Sequence, residues 1–123
     1  TKAVSLTARD VRNLQLAKAA VAGGSRVLLE QRGVTADDIA SVELAGGFGN
    51  YLSPENVVRI GMLPRACLSK IRPLGNAALA GASMLALDGE NWRKLAEIPE
   101  KCRYLELSGR DDFSRAFTDS LTF

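Results

Sequence analysis

The chain contains no histidine, so histidine-ligated metal sites and histidine-based acid–base catalysis are excluded within its 123 residues. Cysteine is nearly as scarce. Cys67 and Cys102 stand far apart, and two thiolates fall short of the four that an iron–sulfur cluster usually takes. A disulfide between them is conceivable, but nothing else suggests a secreted scaffold, and the expectation is a pair of buried free thiols in a reducing cytoplasm. A surplus of charge is missing too. The net charge is +2, too small for a nucleic-acid surface or a polybasic membrane patch, and no basic stripe with interleaved aromatics appears. Apolar runs are broken by glycine or charge well short of a membrane span, and no signal peptide opens the chain. The first residue is Thr1 rather than Met, which suggests a processed chain or an excised piece of a longer one.

What is present is an ordinary globular balance, with 46% hydrophobic and 24% charged residues, enough for one domain over residues 1–123. Thr7 with Asp10 three residues on predicts a helix start of the capping-box kind. The helix that follows carries Val11, Leu14, Ala17, Val21 and Leu28 as its expected apolar face and stops at Gly33. Gly23-Gly24 implies a kink or a close approach of another backbone. Thr35 with Asp38 predicts a short helical turn through Ile39. Ser41 to Ala45 reads as a strand entering Gly46-Gly47-Phe48-Gly49-Asn50. Ser53-Pro54 reads as cap and first turn of a helix through Ile60, ended by Gly61 and Pro64. A strand around Ile71 within Leu68–Leu74 follows, despite Pro73. Helices are then expected over Ala77–Leu87 and Glu90–Glu97, a strand over Arg103–Leu107, and a last helix capped by Asp111 or Asp112 with Phe113, Phe117 and Leu121 at steps of four.

Helices alternating with short strands argue for an α/β layered domain. Two or three strands make a sheet that would leave an edge or an apolar face bare, so strands from elsewhere are expected to complete it.

The segment Leu44-Ala45-Gly46-Gly47-Phe48-Gly49-Asn50 is the sharpest local signal. Ligands in open α/β sheets collect beyond the carboxyl ends of strands, and glycine there admits close backbone approach and positive φ. A plain turn that needs glycine for geometry is the competing reading. Two helices rich in small residues, Ala17 to Ser25 and Ala77 to Ser83, read mainly as close helix packing. Lys18, with Gln15 one turn earlier, either swings over a cleft toward a nucleotide or lays its methylenes on the core with the ammonium in water. Asp37-Asp38 and Asp111-Asp112 read as helix-start residues. Tyr51 and Trp92 read as packing aromatics, and Phe113, Phe117 and Leu121 as core or a docking seam. No carboxylate pair or activated nucleophile stands out.

Taken in order, Asp10-Val11-Arg12, Leu16-Ala17-Lys18-Ala19-Ala20, Leu44 to Leu52, Ile60-Gly61-Met62-Leu63-Pro64, Gly75-Asn76-Ala77-Ala78-Leu79-Ala80-Gly81-Ala82, and Phe113 with Phe117 and Phe123 form one set. It resembles, from about Leu6 to Phe123, the carboxy-terminal end of the reductive activators of corrinoid proteins. The resemblance implies a partial lobe of the actin-like, ribonuclease-H-like fold, a small sheet flanked by helices. It also implies ATP with Mg²⁺ held between two lobes, with a strand–Gly-Gly turn over Leu44–Gly47 contacting the adenosine on this one. With the residue reading above, the candidate nucleotide-binding residues are Ala45, Gly46, Gly47, Phe48, Gly49, Asn50, Gln15 and Lys18. It places the phosphate-contacting Asp-x-Gly turn and the iron–sulfur cluster in the absent amino-terminal part. It further implies a cytoplasmic protein whose partners are its own first lobe and a corrinoid protein, and whose ATP use supports reduction of Co(II) to Co(I) in a methyltransferase system. A homodimer is a further possibility. Two other readings stay open: the equivalent lobe of an acyl-CoA dehydratase or reductase activator, and a non-catalytic interaction or dimerisation module.

Overall fold

The structure is a computed structural model that describes residues 4–47 and 51–123. Helix α1 spans Ala8–Arg32, strand β1 Val42–Ala45 and helix α2 Pro54–Arg59. A 3-10 helix over Arg65–Lys70 leads into strand β2, Ile71–Gly75. Helices α3 (Ala77–Leu87), α4 (Glu90–Lys101) and α5 (Asp111–Asp119) complete the order.

Element boundaries follow local chemistry closely. The Thr7 hydroxyl accepts from the Asp10 amide while the Asp10 carboxylate accepts from the Thr7 amide, a reciprocal cap that satisfies two otherwise orphaned donors. At the other end Gly33 is left-handed, φ 65°, and closes the helix on the carbonyls of Glu30 and Leu29. Ser53 caps α2 through the Asn56 amide with Pro54 in its first turn. Asn76 caps α3 through the Leu79 amide. The Thr35–Asp38 signal makes a hydrogen-bonded turn and not a helix, and Lys70 Nζ clamps it at the carbonyls of Ala36 and Asp37, 3.1 and 2.7 Å away. Helix α4 runs to Lys101, past the expected Glu97, because Pro99 enters its final turn without ending it.

β1 and β2 pair in parallel, Val42 opposite Ile71 and Ala45 opposite Gly75, with a register shift between Leu44 and Ala45. Strand formation begins at Ile71. Leu68 to Lys70, expected in the strand, belong to the 3-10 helix. Pro73 is accommodated opposite Leu44, where its missing N–H costs little on an edge. Val57, Met62 and Ile71 form the buried centre, with Val42, Leu44, Leu52, Val58, Ile60 and Leu63 around it.

The second packed region joins α1 to α5, and it corrects the expected face of α1. The buried residues are Lys18, Ala19, Gly23, Gly24 and Val27, whereas Val11, Leu14, Ala17, Val21 and Leu28 are exposed. The small residues decide this. A Cβ on Gly23 would stand 2.9 Å from the Phe117 amide nitrogen, so α5 lies directly on the backbone of α1. Phe113 and Phe117, half-buried with ring centroids 6.1 Å apart, line that seam. α1 stays continuous through Gly23-Gly24; the glycines serve close approach.

Three further expectations change. Among the described residues Arg103–Leu107 has no ladder partner and is not a strand. Both cysteines are free, but only Cys67 is buried while Cys102 is exposed. Tyr51 and Trp92 are exposed, although the Trp92 indole N–H donates to the Leu85 carbonyl at 3.1 Å. That bond, with Asn91 Nδ2 to the Met84 carbonyl at 2.8 Å, satisfies the last carbonyls of α3 from the start of α4.

Candidate functional site

Because β1 and β2 are parallel, both carboxyl ends lie on one side of the sheet; β1 runs from Ala45 into Gly46, and β2 ends in Gly75. Gly46 has φ 77° and Gly75 φ 64°, conformations that cost an L side chain roughly 1–2 kcal/mol. The Gly46 amide donates to the Gly75 carbonyl at 2.7 Å and ties the two strand ends together. Chain neighbours aside, no atom of the described residues comes within 4 Å of the point where a Cβ on Gly46 or Gly47 would stand. Toward the described residues the bend is therefore open.

α3 leaves from the second of these strand ends. Its sequence is apolar on every side, yet none of its residues is buried, and Leu79, Met84 and Leu87 are exposed, Leu87 at 86%. A helix without a polar face is ordinarily an interior one. Gly81, one turn in, also has no atom within 4 Å of its Cβ position. Close packing within this chain, the expected role of the Ala77–Ser83 small residues, is thus not made here, whereas that of Ala19, Gly23 and Gly24 is. Among the described residues, strand ends, glycine bend and α3 form an exposed surface. A concavity of about 500 Å³ lies elsewhere, over Glu55, Val58, Arg59, Arg65 and Leu68.

The other candidates fall as follows. Ala45 ends β1 and is exposed, and Gln15 is half-buried on α1. Phe48, Gly49 and Asn50 lie outside the described residues. Lys18 is 2% exposed, so its ammonium is inside the protein and not in water. It donates to the Thr122 carbonyl and sits 5.3 Å from the centroid of the Phe123 ring. Gly61 adjoins it, since a Cβ there would stand in ordinary contact with Nζ at 3.5 Å. Phe123 belonged to the motif set read from the sequence, but a contact spanning 104 positions has no local signature. Among the described residues no group of three or more Cys, Asp or Glu side chains converges as a cation site, and no helix is long and apolar enough to cross a membrane.

A parallel strand pair with a glycine at each carboxyl end, flanked by helices, belongs to an actin-like α/β lobe. A family model described as the C-terminal domain of RACo, the ASKHA domain, matches residues 1–123, and the chain belongs to that family. It is 34% identical over 122 residues to the corrinoid activation enzyme RamQ of Eubacterium limosum, covering 99% of this chain and 21% of that protein. It is also similar to the solved structure of a reductive activator for corrinoid, iron–sulfur protein, with TM-score 0.87 and 35% identity over 94% of this chain and 18% of the other. The chain thus spans about a fifth of the length of these relatives.

Proposed function

We propose that this domain is the adenosine-facing lobe of an ATP-dependent activator that assists reduction of a protein-bound corrinoid from Co(II) to Co(I). The carrying observation is the open glycine bend at Gly46-Gly47 beside Gly75-Asn76 and the start of α3. Side chains at 46 or 47 would project into space that the described residues leave empty, which fits a flat purine or ribose lying against backbone. ATP with Mg²⁺ would be closed over by the protein's other lobe, which would also bring the metal ligands and the phosphate contacts. The uncovered apolar α3 supports such a closing surface. ATP-dependent closure can favour reduction only through unequal affinity for the two states of the complex. The electron would come from an iron–sulfur centre elsewhere in the protein. Ala45, Gly46, Gly47 and the segment Phe48–Asn50 are the proposed nucleotide contacts. Lys18 and Gln15 are more remote candidates, since Lys18 would have to give up Thr122 to reach a ligand.

The test is ATP titration of the full protein carrying Gly47→Val. Gly47 is the better choice than Gly46, whose positive φ would strain any substitution. At least a tenfold loss of affinity, about 1.4 kcal/mol, with unchanged melting temperature is expected. Unchanged affinity would leave the bend a structural turn and favour the interaction-module reading of α3.

A further inference from the structure

The segment Arg103–Leu107 follows α4 with no helix, turn or bend. It begins at Cys102, whose φ −93° and ψ 137° are extended. Burial alternates from Tyr104 onward: Leu105 and Leu107 are half-buried, whereas Tyr104 and Glu106 are exposed, Tyr104 at 85%; Arg103 at its start is exposed. That is the period-two pattern of a strand with one face down. The downward face rests on α1. Leu107 Cδ1 lies 3.3 Å from the Cβ position of Gly24, and Arg103, Tyr104 and Leu105 share a groove of about 200 Å³ with Leu28, Gln31 and Arg32. The segment therefore runs antiparallel to α1. On the upward face the Tyr104 hydroxyl donates to the Glu106 carboxylate, two residues away, as strand neighbours on one face do. Among the described residues no backbone amide or carbonyl of Arg103–Glu106 bonds to another backbone group.

A second observation lies beside it. Leu14, Val21 and Leu28 recur every two helical turns in one row along α1, and all three are exposed. The row is about 21 Å long at 1.5 Å per residue, comparable with a strand of six residues. It flanks the groove that holds Leu105 and has no cover of its own.

We infer that Arg103–Leu107 is a strand edge that pairs with a β-strand from a part of the same polypeptide outside these 123 residues, and that the added strand covers the Val21–Leu28 end of that row. The family relatives supply the reason for choosing the same polypeptide: four-fifths of their length lies beyond the region matched here. One added strand resolves both anomalies, because it satisfies the open backbone edge and lays alternate apolar side chains on the neighbouring row. The inference is independent of the nucleotide reading.

Hydrogen–deuterium exchange on the full-length protein without nucleotide tests it. Alternate amides within Arg103–Leu107 should exchange at least about 100-fold more slowly than an unstructured chain, at every protein concentration. In the same protein Val21→Asp should lower the melting temperature by several degrees, as burial of an unpaired charge does. Exchange at unstructured rates overturns the inference, as does a melting temperature indifferent to Val21→Asp. Protection that disappears on dilution assigns the edge to a second copy, and protection gained only with an added corrinoid protein assigns it to that partner; either result overturns the occupant named here.

Discussion

The amide nitrogen of Phe117 lies 2.9 Å from where a Cβ on Gly23 would stand, and it is backbone, which cannot rotate away. Gly24 differs: its nearest neighbour is the tip of the Leu107 side chain at 3.3 Å. Replacing a mid-helix glycine by alanine favours a helix by about 1 kcal/mol. At Gly23 the overpacking cost, about 1–3 kcal/mol, exceeds that gain because α5 must shift bodily. Gly23→Ala should therefore lower the melting temperature, and Gly24→Ala should leave it unchanged or raise it. Calorimetry on the two variants checks the contrast; equal effects would place α5 further from α1.

Lys18 is buried with a carbonyl and an aromatic ring for company and no carboxylate. Lys18→Met leaves the Thr122 carbonyl without its donor, a loss of about 1–3 kcal/mol, but also removes a buried charge whose desolvation opposes folding. Global stability should change little while Ser120–Phe123 loosens. Amide hydrogen exchange at Ser120–Phe123 should be faster in the variant. Exchange as slow as the parent's would mean that Phe123 packing alone holds the segment.

Acid sensitivity should centre on four carboxylates, of which Glu106 is held below its ordinary value chiefly by the hydrogen bond from the Tyr104 hydroxyl. Asp10 is held below its ordinary value by the Thr7 hydroxyl and then the Thr7 amide, and Asp38 by the Thr35 amide and then its hydroxyl. Asp112 is held low chiefly by its hydrogen bond from Arg110. A carboxyl depressed in the folded state adds stability that is full above its unfolded value, about 3.9 for an aspartate, and is lost as pH falls through the lower folded value. Melting temperature should hold from neutrality to about pH 5 and then drop toward pH 2. Asp10→Asn should flatten part of that drop while lowering the plateau; an unchanged slope would count against the cap.

The two thiols should differ in reactivity under native conditions. Cys102 is exposed and Cys67 buried. Iodoacetamide followed by peptide mapping should label Cys102 first and Cys67 only after unfolding. Simultaneous labelling would contradict the burial of Cys67 on the inner side of the 3-10 helix.

Most of the element map was legible because its signals act within a few residues. Thr7 with Asp10, Ser53 with Pro54, Asn76, and the glycines at 33 and 46 each determine φ or satisfy an amide locally, so they mark starts and stops without reference to the rest of the molecule. The glycine bend and the small-residue helix after it were legible for the same reason, and the family resemblance rested on them.

Which surfaces meet was a different matter. Periodicity nominated Leu14, Val21 and Leu28 as the inner face of α1, but only the approach of Phe117 to Gly23 and the seat of Thr122 on Lys18 decided which face was covered. Arg103–Leu107 carries a strand pattern without a strand, because a ladder needs a second backbone. The amino-acid order by itself determined the local conformations and the apolar rows. Tertiary structure alone decided which rows are satisfied within this chain, since burial and strand pairing are properties of two surfaces and not of one.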